Sequence, residues 1–97
     1  MFTIEFIPEA IDDLLLLRKF DQQQIAATIE GQLSNQATEE TRNRKRLRPN
    51  QLAEWELRIG EFRVFYDVDS QTSVVKVVAI GHKRGSKLFV YGKEFDL

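Results

Sequence analysis

Arg58 and Arg63 lie five positions apart in a stretch where polar and apolar residues alternate, and Glu54 and Glu56 immediately precede them. In an extended chain Glu54, Glu56 and Arg58 share one face, and Arg63 joins that face if the strand doubles back at Gly60-Glu61. A second group of polar residues, His82, Lys83 and Arg84, follows a valine-rich run, and Tyr91 comes soon after. This set suits metal-independent cleavage of RNA, in which a neighbouring 2'-hydroxyl attacks the phosphate. The reaction needs a base, a proton donor for the leaving oxygen, and guanidinium groups where charge accumulates. His82, with an ordinary pKa of about 6.5, suits proton transfer. An ordinary surface histidine is the competing reading, and Glu54, Glu56 and Arg58 are equally suited to cross-strand pairing on a wet sheet face.

Other chemistries are excluded. The chain has no cysteine and one histidine, so it offers neither a disulfide framework nor a thiolate or multi-histidine metal site. It contains no phosphate-binding Walker loop, dinucleotide glycine fingerprint, HExxH or nucleophile elbow. No cofactor is implied. With 97 residues, 42% hydrophobic and 30% charged, the chain is expected to fold as one small domain. It lacks a basic leader and any apolar run long enough to span a membrane, so it reads as cytoplasmic with no membrane partner. The net charge of -1 conceals an asymmetry: residues 1–41 hold eight acids and two bases, whereas residues 42–97 hold twelve bases and seven acids. Arg42, Arg44, Lys45, Arg46 and Arg48 fall together without an intervening acid. With Lys87 they form a candidate RNA-binding surface, the alternative being a solvated charged loop.

Thr3–Ile7 is β-branched and aromatic and stops at Pro8, which predicts a first strand followed by a helix with proline in its first turn. Glu9, Asp12 and Asp13 favour the N-terminal end of that helix, Arg18 and Lys19 its C-terminal end, and Ala10, Ile11, Leu14, Leu15 and Leu17 form its apolar face. Asp21 and Gln24 have capping-box spacing ahead of Ile25, Ile29 and Leu33, predicting a second helix to about Ser34-Asn35. Residues 36–50 lose apolar periodicity and are expected to be a long basic connection. Strands are then predicted at 54–59, 62–68, 74–80 and 88–91, joined by short turns as an antiparallel meander. The expected fold is α+β: an N-terminal strand and a helical hairpin packed on an antiparallel sheet. Trp55, alternating with Leu57 and Ile59, reads as a core anchor rather than a base-stacking platform.

The order strand, two helices, then Trp55-Glu56-Leu57-Arg58-Ile59-Gly60-Glu61-Phe62-Arg63-Val64-Phe65-Tyr66 and later Val78-Ala79-Ile80-Gly81-His82-Lys83 resembles the RelE/ParE superfamily of bacterial toxins. The resemblance spans nearly the whole chain. It implies a toxin of a type II toxin-antitoxin system, neutralised by a cognate antitoxin protein and often acting on ribosome-bound mRNA as an endonuclease; the alternatives within the superfamily are DNA gyrase inhibition by binding, or a non-toxic binding member. By the same resemblance Arg63 and Arg58 match the family's hairpin arginines, the former assisting at the phosphate. Lys83 stands where an active-site arginine is usual, with Arg84 as substitute if the turn is one residue longer. Tyr91 resembles a C-terminal proton-transfer tyrosine, although strict spacing selects Phe89. Glu54 and Glu56 replace the lysines of RelE-type nucleases and repel phosphate; Glu56 serves as a base only if suitably placed. Arg63 paired with Glu54, Glu56 or Asp67, and Tyr91 as a core residue, remain open readings.

Overall fold

The computed structural model describes residues 1–97, and its elements follow the predicted order with two additions. They are β1 (Thr3–Phe6), α1 (Pro8–Leu15), α2 (Lys19–Gln36), β2 (Arg44–Arg46), β3 (Trp55–Ile59), β4 (Phe62–Asp69), β5 (Val74–Arg84), β6 (Lys87–Val90) and β7 (Lys93–Phe95). The sheet order is β2-β3-β4-β5-β6-β7, antiparallel throughout, and β1 pairs parallel with the first half of β5. The chain leaves β1 through the helical hairpin to β2 at the far edge of the sheet and returns beside β1 only at β5, after β3 and β4, in the same sense. Residues 36–50 are not merely a connection, because β2 adds an edge strand, and β7 adds another beyond β6.

The helices cover one face of this sheet. Ala10, Ile25, Ile29 and Leu33 pack against Trp55, Leu57, Ile59, Val64, Tyr66, Val75, Val77 and Ile80. Each fully buried aliphatic side chain stabilises by roughly 1.5–3 kcal/mol, so the i, i+4, i+8 row on α2 is what holds the hairpin down. The α1 face is covered less completely than its pattern predicts: of its residues only Ala10 is buried. Ile11 and Leu15 on α1, Leu16 in the connection and Phe20 at the start of α2 are 44–86% exposed. The predicted Asp21–Gln24 capping box does not form. The N-cap is Arg18, without a side-chain cap, and Asp21 accepts instead from Arg18 Nε at 3.1 Å.

The other face carries a second, smaller core of Ala53, Phe65, Val78, Ala79, Leu88 and Val90, with Leu47, Leu52 and Phe95 around it. A β-bulge makes this core. Along β5, Tyr66 pairs with Val77 but Phe65 pairs with Ala79, leaving Val78 as the extra residue. Downstream of it the alternation changes phase, so Ala79, Gly81 and Lys83 join Phe65 and Arg63 on the face away from the helices, while Ile80 and His82 lie on the helix side. Gly81 is required where it stands: a Cβ there would lie 2.5 Å from the Phe89 carbonyl oxygen and 2.9 Å from Val90 Cγ2.

Candidate functional site

The β3–β4 hairpin turns at Gly60, whose φ of 58° suits a residue without a side chain. Its register sets Arg58 directly opposite Arg63, and Glu56 opposite Phe65 on one side and Lys45 on the other. Two cations and a carboxylate thus lie on the face away from the helices, and the β5 bulge adds Lys83. Lys45, Glu56, Arg58, Lys83 and Lys87 line a groove of about 420 Å³, closed along one side by Leu88 and the chain from Glu94 to Leu97. Glu56 is 9% exposed. Its Oε2 accepts from Arg58 Nε at 3.4 Å, while the Arg58 side chain stays open to solvent.

Arg63 sits at the end of this row. Its Nη1 donates to the carbonyls of Gly60 (2.8 Å) and Phe62 (2.9 Å), and its buried Nε has no acceptor from the protein. Burial lowers its affinity for the proton below the ordinary arginine value, Glu56 opposes that shift, and Arg58 reinforces it. The expected alternative, an ion pair with Glu54, Glu56 or Asp67, is not formed: no carboxylate lies within salt-bridge distance of Arg63. Glu54 is engaged at the start of the hairpin, where its Oε1 accepts from the Val68 N–H and its own N–H donates to Asp67 Oδ1.

Several residues singled out in the sequence are not brought to this groove. His82 pairs with Phe62 and Phe89 across the sheet and stacks on the Phe89 ring at 5.5 Å, on the face opposite Lys83. Arg84 alternates onto the same side as His82. Tyr91 donates its hydroxyl to the Val78 carbonyl at 2.5 Å, and burial together with Asp13 and Glu9 raises its pKa. It fills the stretch of β5 edge between β1 and β6, where Asp13 also accepts from the Ile80 N–H. Burial, chiefly, raises the Asp13 pKa as well, against that hydrogen bond.

The basic run divides by strand alternation. Lys45 faces the groove, Arg42 and Arg48 are exposed, and Arg46 lies over the Trp55 ring at 5.6 Å. Trp55 itself is 4% exposed and stacks on Tyr66 at 6.0 Å, the core anchor its spacing predicts. Arg44 is the clearest correction. It is 3% exposed, and its guanidinium donates to the carbonyls of Gln32 and Glu39 and to the side-chain amides of Gln32 and Gln36. An RNA phosphate has no access to it. Instead it supplies the positive charge that the last turn of α2 lacks, next to the Tyr66 hydroxyl bonded to the Ala37 carbonyl. We expect Arg44→Met to lower stability by about 3 kcal/mol, because those acceptors lose a charged donor, whereas Lys45→Met leaves it nearly unchanged. Thermal melts of the two variants test this contrast.

Residues 4–86 match the profile described as "ParE toxin of type II toxin-antitoxin system, parDE". The chain belongs to this toxin family. Among curated proteins no sequence matches it. Three solved complexes share the toxin's fold. The RelBE2 toxin-antitoxin complex of Mycobacterium tuberculosis contains a chain with 24% identity and a TM-score of 0.73, covering 84% of the toxin and 98% of that chain. The archaeal RelE-RelB complex of Pyrococcus horikoshii OT3 gives 18% identity, a TM-score of 0.68, and 87% and 96% coverage. The intact RelBE complex of E. coli gives 18% identity, a TM-score of 0.60, and 87% and 99% coverage. At these identities the likeness is one of fold, and it matches the two helices on a largely antiparallel sheet found here. No helix of the toxin is long and apolar enough to cross a membrane.

The residues that reading the sequence missed are those beneath the groove: Phe65, Ala79, Gly81, Leu88 and Phe95. Their signal was hidden, because an unbroken apolar run such as Val74–Ile80 carries no mark of where its alternation slips.

Proposed function

We propose that the toxin is a metal-independent endoribonuclease that cleaves mRNA on the ribosome and is neutralised by a protein antitoxin. One observation carries this reading: a carboxylate, Glu56, stands in the same groove as Arg58 and Lys83, with Arg63 across the hairpin from Arg58. In the proposed reaction Glu56 takes the proton of a ribose 2'-hydroxyl as that oxygen attacks the adjacent phosphorus. Arg58 and Arg63 stabilise the charge on the phosphoryl oxygens. The bond to the 5'-oxygen then breaks, and Lys83 supplies the proton that the departing oxygen needs, leaving a cyclic phosphate. Lys45 holds a flanking phosphate.

A specific observation favours a second reading, gyrase inhibition by binding alone. His82 and Tyr91, the side chains best suited to proton transfer beside Lys83, face elsewhere. The two readings separate in cells. On induction without antitoxin, we expect protein synthesis to stop before DNA synthesis and mRNA to be cut; DNA synthesis failing first with mRNA intact establishes the gyrase reading instead. The antitoxin is expected to present acidic and apolar side chains near Arg58, Arg63 and Lys83. Such charge complementarity makes association fast and salt-sensitive.

A further inference from the structure

His82, Phe89 and Phe62 are side by side on the face of the sheet opposite the groove, where Phe62 packs against the main core. Phe62 and Phe89 are the register partners of His82 on either side, all three are half-buried, and the His82 and Phe89 rings stack with an interplanar angle of 19°. Arg84 and Lys87, paired across the β5–β6 hairpin, border this surface and are exposed. Glu94, the partner of Phe89 on β7, borders it on the other side.

We infer that this surface is a stacking platform for an unpaired base of single-stranded RNA, with Arg84 and Lys87 on the adjoining phosphates. Flat rings partly open to solvent, flanked by cations, form the combination that holds single strands without reading their sequence. Alternation along β5 supplies the route: His82 and Arg84 face the platform while Lys83, between them, faces the groove. A strand crossing the hairpin tip at Gly85-Ser86 therefore meets cations on both faces. The Glu94 carboxylate repels phosphate and keeps the backbone on the Arg84 side. The inference rests on the nuclease reading, because it extends the path of the same mRNA beyond the groove.

The test measures binding of a short fluorescein-labelled single-stranded RNA to the whole toxin by anisotropy over a range of salt, with thermal melts of each variant. Phe89→Leu keeps apolar volume but removes the flat ring, and is expected to weaken binding about tenfold or more without changing the salt dependence. Phe89→Trp restores or tightens binding, and Arg84→Ala lowers the slope of log K against log salt by about one. RNA affinity unchanged in Phe89→Leu overturns the platform, as does a loss confined to antitoxin association, which marks a protein contact instead. Cleavage measured in parallel keeps the two proposals apart. Phe89-dependent binding without ribosomal mRNA cleavage defeats the nuclease reading and leaves the platform standing; cleavage with Phe89-independent binding defeats the platform alone.

Discussion

Arg63→Ala is expected to slow mRNA cleavage about a hundredfold while leaving the toxin folded. A positioned cation facing the charge that builds up at a phosphate in the transition state contributes on the order of 3 kcal/mol, and its removal is felt in rate. The structural cost is small, because the guanidinium makes no ion pair and donates only to two carbonyls of the hairpin turn. Loss of such bonds near solvent costs about 1 kcal/mol. Arg63→Lys sharpens the result: it keeps the charge but not the planar fork, so it recovers RNA binding more than rate. Melting temperature and cleavage on ribosomes, measured on the same purified variants, decide the matter. If Arg63→Ala cleaves at the wild-type rate, Arg63 has no place in the reaction and Arg58 is left as the one guanidinium of the proposed mechanism.

The hairpin from Trp55 to Tyr66 was readable because each of its residues obeys a period of two and its turn contains the glycine that the turn needs. The α2 row was readable for the same kind of reason, an apolar period matched to the helix. What could not be read depends on long-range partners. Arg44 belongs to a run of five bases without an acid, and nothing local separates it from Arg42 or Lys45; its burial arises only because β2 docks beside the end of α2, where carbonyls lack donors. The phase of β5 was hidden in a run of valines that satisfies both faces of a sheet equally. That one slip decides the site: without the bulge at Val78, His82 and Arg84 would face the groove and Lys83 would not. The strand β7 left no periodic signal at all, since Lys93-Glu94-Phe95 is too short to show one.

Glu56→Gln gives the second large effect, and it separates a base from a bystander. The substitution is nearly isosteric at a position 9% exposed, between Lys45 on β2 and Phe65 on β4, so the fold should survive it. If Glu56 removes the 2'-hydroxyl proton, the amide cannot, and cleavage falls by roughly a hundredfold to ten-thousandfold. RNA binding moves the other way. A carboxylate beside the phosphate path repels it, and neutralising that charge releases Arg58 from the 3.4 Å contact to act on RNA. Weaker cleavage with tighter binding is thus the expected pair of results, read from single-turnover rates and from anisotropy of a labelled RNA. A Glu56 that only balances Arg58 predicts tighter binding with cleavage unchanged or faster. That outcome would remove Glu56 from the mechanism, and with it the base on which this route to RNA cleavage depends.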